Sequence, residues 1–519
     1  MNDHVAASQI DAPRFSQREI LSIIAGLLLA MALASIDQTI VATSLSAMAR
    51  DLNGWSLMPW VVSAYLVTST TTTPIYGRLS DLYGRRPVLL TSIALFVATS
   101  VLCGLAQTMP QLIGARLLQG IGGGGLRAVS QAVVADIIPP RDRGRYQGYF
   151  SSMFAISTTI GPVLGGFFAD YLSWHWIFWI NIPLGIAAFA LSNRNLKRLR
   201  RPSRQPVIDW LGAALILASA APTLLAVSRV EQEGGWGSAG VLVPLAIGLG
   251  FLLALIGREL VAAEPMLPLR LFLNPTFALA CTISGCTSLI MIALVVLVPI
   301  DYRLIAQISA NEAGLRLIPM TAGTALGSFI AGNLVSRTGR YRIFPIIGSV
   351  CMASACLAIA ATGLGRSLAF DVAATGILGL SFGFQISPMT VIVQNALDAR
   401  DIGIGLSCLM FFRLMAGAFG VAFLSTLLVS ALDAGALAIP GHAALGANPG
   451  IALLHLHEGN GGLPPPLIAA FAATIAHAFS QLFLVTAAIG AAAVIGSLAL
   501  RETPLRGRER QSATGGRGY

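Results

Sequence analysis

Long apolar stretches, separated by short polar or charged segments, make up most of this chain. They run over about residues 20–46, 59–79, 88–106, 111–134, 147–169, 175–192, 208–228, 240–257, 276–300, 313–335, 343–363, 370–394, 404–430 and 468–500. About 20 apolar residues of helix match a bilayer hydrocarbon core about 30 Å thick. In that solvent each spanning segment must satisfy its own backbone hydrogen bonds, so it is a helix or a strand of a closed barrel. Barrel strands are about ten residues long and alternate in polarity. These stretches are twice that length and do not alternate, which predicts about fourteen transmembrane helices. The last is long enough to hold an interfacial turn at its start. The first 19 residues are polar, and no small-residue cleavage site follows a short apolar stretch, so the first stretch is expected to be retained as a helix.

Composition agrees. The chain has 519 residues, 55% hydrophobic and 11% charged, and its mean hydropathy is +0.75. Soluble domains carry roughly 25% charged residues. The expected class is therefore an all-α polytopic membrane protein. An even number of spans puts both termini on one side. With both in the cytoplasm, 25 of the 33 Lys and Arg lie on the inner side, and only Arg50, Arg229, Arg303 and Arg366 lie in outer loops. Positive residues stay on the cytoplasmic side, so the net charge of +10 reflects topology. The run RNLKRLRRPSR (194–204) reads as an inner-face loop beside anionic lipid rather than as a nucleic-acid patch.

Other chemistry is thin. All six cysteines fall within predicted spans, away from the outer loops where disulfides form. The nearest approach to a metal site is HLHEG (455–459), where His455 and His457 have no obvious third ligand, so no metal is expected. No GxxxxGK[ST] loop supports ATP-driven transport. No nucleophile–base constellation suggests an enzyme.

One charged island stands out. GRLSDLYGRRP (77–87) joins the second and third spans, and GNLVSRTGRYR (332–342) joins the tenth and eleventh. Gly77 aligns with Gly332, Leu79 with Leu334, Gly84 with Gly339 and Arg85 with Arg340. The repeat predicts two related six-helix bundles, residues 20–192 and 276–500. A basic loop and two inserted helices (193–275) lie between them, with cytoplasmic tails at 1–19 and 501–519. Transporters are often built from such repeats, with the substrate site near mid-membrane between the halves. A repeat alone also fits a purely structural duplication.

The island resembles the loop signature G-x-L-[SA]-D-x-x-G-R-R/K of the major facilitator superfamily. RLLQGIGGGG (116–125) is similar to that superfamily's fourth-span motif, and GPVLGG (161–166) to the fifth-span motif of its antiporters. IDQTIVATSL (36–45), WHWIFWINIPLG (174–185) and EPMLPLRLF (264–272) resemble the fourteen-span drug:proton antiporter branch, the EmrB/QacA type. The resemblance covers about residues 15–500 and implies an MFS fold.

Several residues then become candidates. Gly77 and Gly84 permit close helix contact and a tight turn, and Arg85 and Arg86 are expected to anchor the loop. The resemblance implies that Asp81 docks on the opposite bundle near DIGIG (401–405), where a helix N-terminus stabilises a carboxylate, and latches the inner gate. The counterpart has Ser336 in place of Asp81, so the latch is expected to be one-sided; a loop that only sets topology is the alternative. In the fifth span, Gly161 and Gly165 share a face suited to tight packing, and Pro162 loosens the helix behind it. With Gly166 they match the motif that implies export, against ordinary small-residue packing. The run Gly122–Gly125 gathers weak helix formers and offers span four a place to bend.

Asp37 is the one acid well inside a span, where a charge costs roughly 2.5–3.5 kcal/mol on insertion scales. Desolvation and a nearby cation act on such a carboxyl in opposite senses, so a poised one can take a proton on one side and release it on the other. Arg116 is the candidate partner, and the resemblance implies a role for both. A buried structural hydrogen-bonder is the alternative. Arg127, Arg413 and Asp301 are cavity candidates. Arg127 and Arg413 lie too deep to snorkel comfortably, and Asp301 is expected to pair with Arg303 at the outer mouth. Arg316 can snorkel.

These readings predict a proton-coupled exporter of amphipathic small molecules or drugs in the bacterial inner membrane. It would need no cofactor beyond the proton gradient, would contact lipid and would bind no nucleic acid. Some relatives work with a membrane-fusion protein. Export of a narrow physiological substrate (metabolite, siderophore or lipid) competes with this reading, as does a non-transporting sensor or scaffold.

Overall fold

The computed structural model describes residues 16–54, 57–138, 142–199, 209–230, 235–262, 265, 267–306, 308, 310–365, 367–398, 401–437 and 465–502. Among these residues every regular element is helical. In chain order the long helices are α1 (Gln17–Thr43), α2 (Met58–Tyr83), α3 (Arg85–Gly104), α4 (Met109–Ile137), α5 (Arg143–Tyr171), α6 (Asn181–Asn195) and α7 (Trp210–Arg229). They continue with α8 (Ala239–Val261), α9 (Pro275–Leu304), α10 (Ile318–Thr338), α11 (Ile343–Thr362), α12 (Leu368–Ala396), α13 (Ile402–Leu437) and α14 (Pro465–Ala499). Short helical turns precede some of them, including Trp176–Trp179 before α6 and Ala310–Leu315 before α10.

Among the described residues, eleven helices are long and apolar enough to cross a membrane by length and composition alone. The helices α2 and α4 fall outside that group, although they are 26 and 29 residues long. Their sequences explain why. Thr71, Thr72 and Thr73 lower the hydropathy of α2, but each hydroxyl donates to a carbonyl one turn back, so none is left unmet in the interior. In α4 the glycine run does the same and serves packing. A Cβ at Gly120 would lie 2.5 Å from the Tyr65 carbonyl oxygen of α2, and one at Gly122 would lie 2.7 Å from the Phe96 nitrogen of α3. The helix continues unbroken through this run, so its glycines admit neighbours rather than mark a break. The α10–α12 pair uses the same device, with Gly323 and Gly327 set against α12 backbone.

Local chemistry sets the helix ends. Ser16 and Glu19 form a reciprocal capping box at the start of α1. The Asn274 side chain accepts the Thr276 and Phe277 N–H groups at the start of α9. Gly84 (φ 92°) and Gly339 (φ 73°) turn the chain after α2 and α10 in a region that residues with a Cβ enter at a cost.

By packing, α1–α6 form one group around a core that includes Leu27, Leu33, Phe96 and Val133. The second group, α9–α14, surrounds cores that include Leu294, Leu378, Leu428 and Phe483, and Phe277, Val393 and Leu406. The α7–α8 hairpin packs along α2 and α13, at the side of both groups. The groups meet along α2/α13 and along α5/α10. Both meetings occur at the end of the molecule where Arg85, Arg198, Arg258 and Arg270 find Asp136, Glu19, Asp209 and Asp401. This is called the basic end below, and the other the far end.

Candidate functional site

Two arrangements stand out. The first surrounds Asp37, fully buried on α1. Arg116 of α4 reaches its Oδ2 at 2.5 Å. Gln119 of α4 and Asn181 of α6 each donate to its Oδ1 at 3.0 Å. Both amides also donate to Ser100 Oγ of α3, at 2.6 and 3.1 Å. Arg116 itself is 1% exposed, donates to the Val61 carbonyl at 3.2 Å and lies over the Tyr65 ring at 4.3 Å. A buried ion pair with its remaining valences filled offsets most of its desolvation, whereas removing one partner strands the other. Chemically, this is a buried carboxylate held by one cation and two amide donors.

Asp37 and Arg116 were legible from their places in apolar spans. Gln119 and Asn181 were not singled out, although Gln119 lies three residues after Arg116 and so shares its face. The glycine face of α5 packs on α1 close by. A Cβ at Gly161 would lie 1.9 Å from Thr39 Oγ1, and Ser44 donates to the Gly165 carbonyl at 2.9 Å. The surroundings of Pro162 and Gly166 lie outside the described residues.

The second arrangement is the meeting at the basic end. The Asp81 carboxylate, at the end of α2, accepts the Ile404 N–H at 3.1 Å, in the first turn of α13. Gly403 makes room, since a Cβ there would lie 2.2 Å from Asp81 Oδ1. Arg85 is buried, pairs with Asp81, and holds Asp136 at 2.8 Å. Arg86 donates to Asn193 at 2.6 Å. Gly77 faces α13 one turn away, with Ser407 Oγ 2.1 Å from where its Cβ would be.

The contact is not one-sided. At the end of α10, Ser336 Oγ accepts the Arg145 N–H at 3.2 Å, in the first turn of α5. Gly332 takes the place of Gly77, its Cβ position 1.9 Å from the Gly144 carbonyl oxygen. A hydroxyl can accept a backbone N–H as a carboxylate does, so losing the charge does not lose the contact. A second sequence repeat explains this. Asp142-Arg143-Gly144 and Asp401-Ile402-Gly403 occupy matching places, so each half supplies both an acceptor and a receiving helix. Between α5 and α10 lies a cleft of about 550 Å³ lined by Ile156, Ile160, Leu326 and Phe329.

The remaining candidates are scattered. Arg127 donates to Gln38 at 2.7 Å. Arg413 donates to Ser284 Oγ at 3.4 Å and to the Ile386 carbonyl at 3.3 Å. Each lies about ten residues from the basic end of its helix, so the two sit at similar depth in opposite groups. The expected Asp301–Arg303 pair does not form, because residues two apart leave a helix on opposite faces. Arg316 pairs instead with Asp371 (3.1 Å) and Glu312 (2.8 Å). The HLHEG segment lies outside the described residues.

A helical membrane protein with two such groups, meeting through repeated loops, has the build of a transporter. The sequence model of the Major Facilitator Superfamily matches residues 27–421, and the chain belongs to that superfamily. An MFS-type transporter of Mycobacterium tuberculosis (strain H37Rv) is 37% identical over 494 residues, 93% of this chain and 70% of the relative. The multidrug transporter protein MdtP of Bacillus subtilis is 35% identical over 416 residues, 80% of this chain and 76% of MdtP. The solved proton:xylose symporter XylE has the same fold, with a TM-score of 0.62 at 14% identity, covering 96% of this chain and all of XylE. The chain is thus a multi-pass membrane transporter and not an enzyme.

Proposed function

We propose that this chain is a proton-coupled exporter of amphipathic small molecules in the drug:proton antiporter branch, working by alternating access between α1–α6 and α9–α14. The observation that carries the reading is the Asp37–Arg116 pair. It is a titratable group buried among apolar helices, held by a cation and two amides that can rearrange when a proton replaces the charge. Relatives named as multidrug transporters or efflux pumps support export. In this reading α2, α4 and α5 cross the membrane with the other eleven helices, giving fourteen spans. The basic end and both termini face the cytoplasm of a bacterial inner membrane. At that end α2 meets α13 and α10 meets α5.

Arg127 and Arg413 bear on substrate charge. Among the described residues each meets only neutral oxygens, and in a low-dielectric interior an uncompensated arginine attracts anions and repels cations. Neutral or anionic amphiphiles are therefore the expected substrates, ahead of dications. A narrow physiological substrate is the second reading, favoured by a relative named for a biosynthesis cluster.

The test is export from liposomes under an imposed pH gradient, with a dication, a monocation, a neutral compound and an organic anion. Wild type is expected to move the neutral compound or the anion. Asp37→Asn is expected to fold but lose gradient-driven export. Normal uphill export by Asp37→Asn places coupling elsewhere, and a clear preference for dications removes the substrate assignment.

A further inference from the structure

Asp301 is a second buried acid with surroundings opposite to those of Asp37. It lies on α9, one turn from the far end, and is 1% exposed. Its Oδ1 has no hydrogen-bond partner, and among the described residues no cation pairs with its carboxyl. The hydroxyl of its neighbour Tyr302, also fully buried, is likewise unmet. The charge that acts on Asp301 is another carboxylate, Asp371, at the start of α12 and also 1% exposed. Asp371 is itself engaged. Arg316 donates to its Oδ2 at 3.1 Å, and the Gly365 N–H reaches its two oxygens at 3.0 and 3.2 Å. Arg316 also lies over the Tyr302 ring at 5.4 Å and bonds Glu312. Among the described residues α13 and α14, which also pack on α9, bring no charge against Asp301.

A buried, unpaired carboxylate is too costly to persist; such a group neutralises instead. Arg316 and the Gly365 N–H meet Asp371, whereas Oδ1 of the buried Asp301 meets no donor, so Asp301 is the carboxyl suited to hold a proton. We propose that Asp301 is a proton-binding site of the second helix group, separate from Asp37 and loaded from water at the far end. The step is simple: the Asp301 carboxylate takes one proton, and no other bond changes. Its proton is bound while the ends of α9 and α12 pack as they do here, and it leaves when they separate. Use of this proton in transport rests on the exporter reading; its binding does not.

The experiment is infrared difference spectroscopy of the full chain in liposomes across steps of pH, following the C=O stretch of protonated carboxyls. Asp301→Asn is expected to abolish one band, with the fold checked by circular dichroism. Asp301→Glu is expected to keep that band at a displaced frequency, which serves if the Asn variant does not fold. Asp371→Asn is expected to keep the band and move the pH at which it disappears. A spectrum unchanged in Asp301→Asn, or a band undisplaced in Asp301→Glu, overturns the site and leaves the exporter reading standing. A lost band together with absent transport in wild type upholds the site and overturns the exporter reading.

Discussion

At the basic end the α2/α13 and α10/α5 meetings are built on one plan with different chemistry. In each, a glycine near the end of one helix meets the backbone or a small side chain of the other, and an acceptor one turn later takes the third N–H of the receiving helix. On the α2 side the acceptor is a carboxylate held by a buried arginine; on the α10 side it is a hydroxyl. Closure therefore depends on close backbone approach and one acceptor. Charge adds strength on one side only, and with it a sensitivity to whatever disturbs Arg85 or Asp136.

That comparison can be broken most strongly at the glycines. A Cβ at Gly332 meets backbone, the Gly144 carbonyl, while one at Gly77 first meets the Ser407 hydroxyl, which can turn aside. Gly332→Ala is expected to cost about 1–3 kcal/mol of closure and to separate spin labels placed on the basic ends of α5 and α10. Gly77→Ala should cost less and be largely relieved by adding Ser407→Ala. Equal costs with no relief would mean that the two crossings are not alike in tightness.

The acceptors come next. Asp81→Ala removes a charge-assisted bond worth about 1.5–3 kcal/mol, and Ser336→Ala a neutral one worth about 0.5–1.5 kcal/mol. Cysteine accessibility at the basic end should rise more in the first variant, and Asp81→Ser should bring the two sides level. A Ser336→Ala effect as large as that of Asp81→Ala would remove charge from the explanation. The smallest effect is expected from Ser387→Ala. It loses one 3.2 Å bond to the Gly144 carbonyl, worth about 0.5 kcal/mol or roughly a twofold shift in the same measurement.

Much of this was legible before any coordinates. Apolar stretches of bilayer length predict helices because a buried backbone has few other ways to satisfy itself, and a helix occupies each predicted place among the described residues. Asp37, Arg116 and the island at 77–87 are visible because a charge or a glycine turn in so apolar a chain stands out against its background. The acceptor role of Ser336 was not legible, since a serine carries no sign of what it accepts. Nor was the burial of Arg85, which a loop sequence presents as one more surface cation.

The sequence by itself determined the solvent, the helices and the places where charge interrupts them, for those follow from each residue's own cost of leaving water. The tertiary structure alone decided which charges are paired. In sequence, Asp37 lies well inside an apolar span and Asp301 at the end of one, two residues from Arg303. One meets Arg116, Gln119 and Asn181 from two other helices, and the other faces a second carboxylate. A carboxyl's state depends on what lies within a few ångströms of it, and that is fixed by residues distant along the chain.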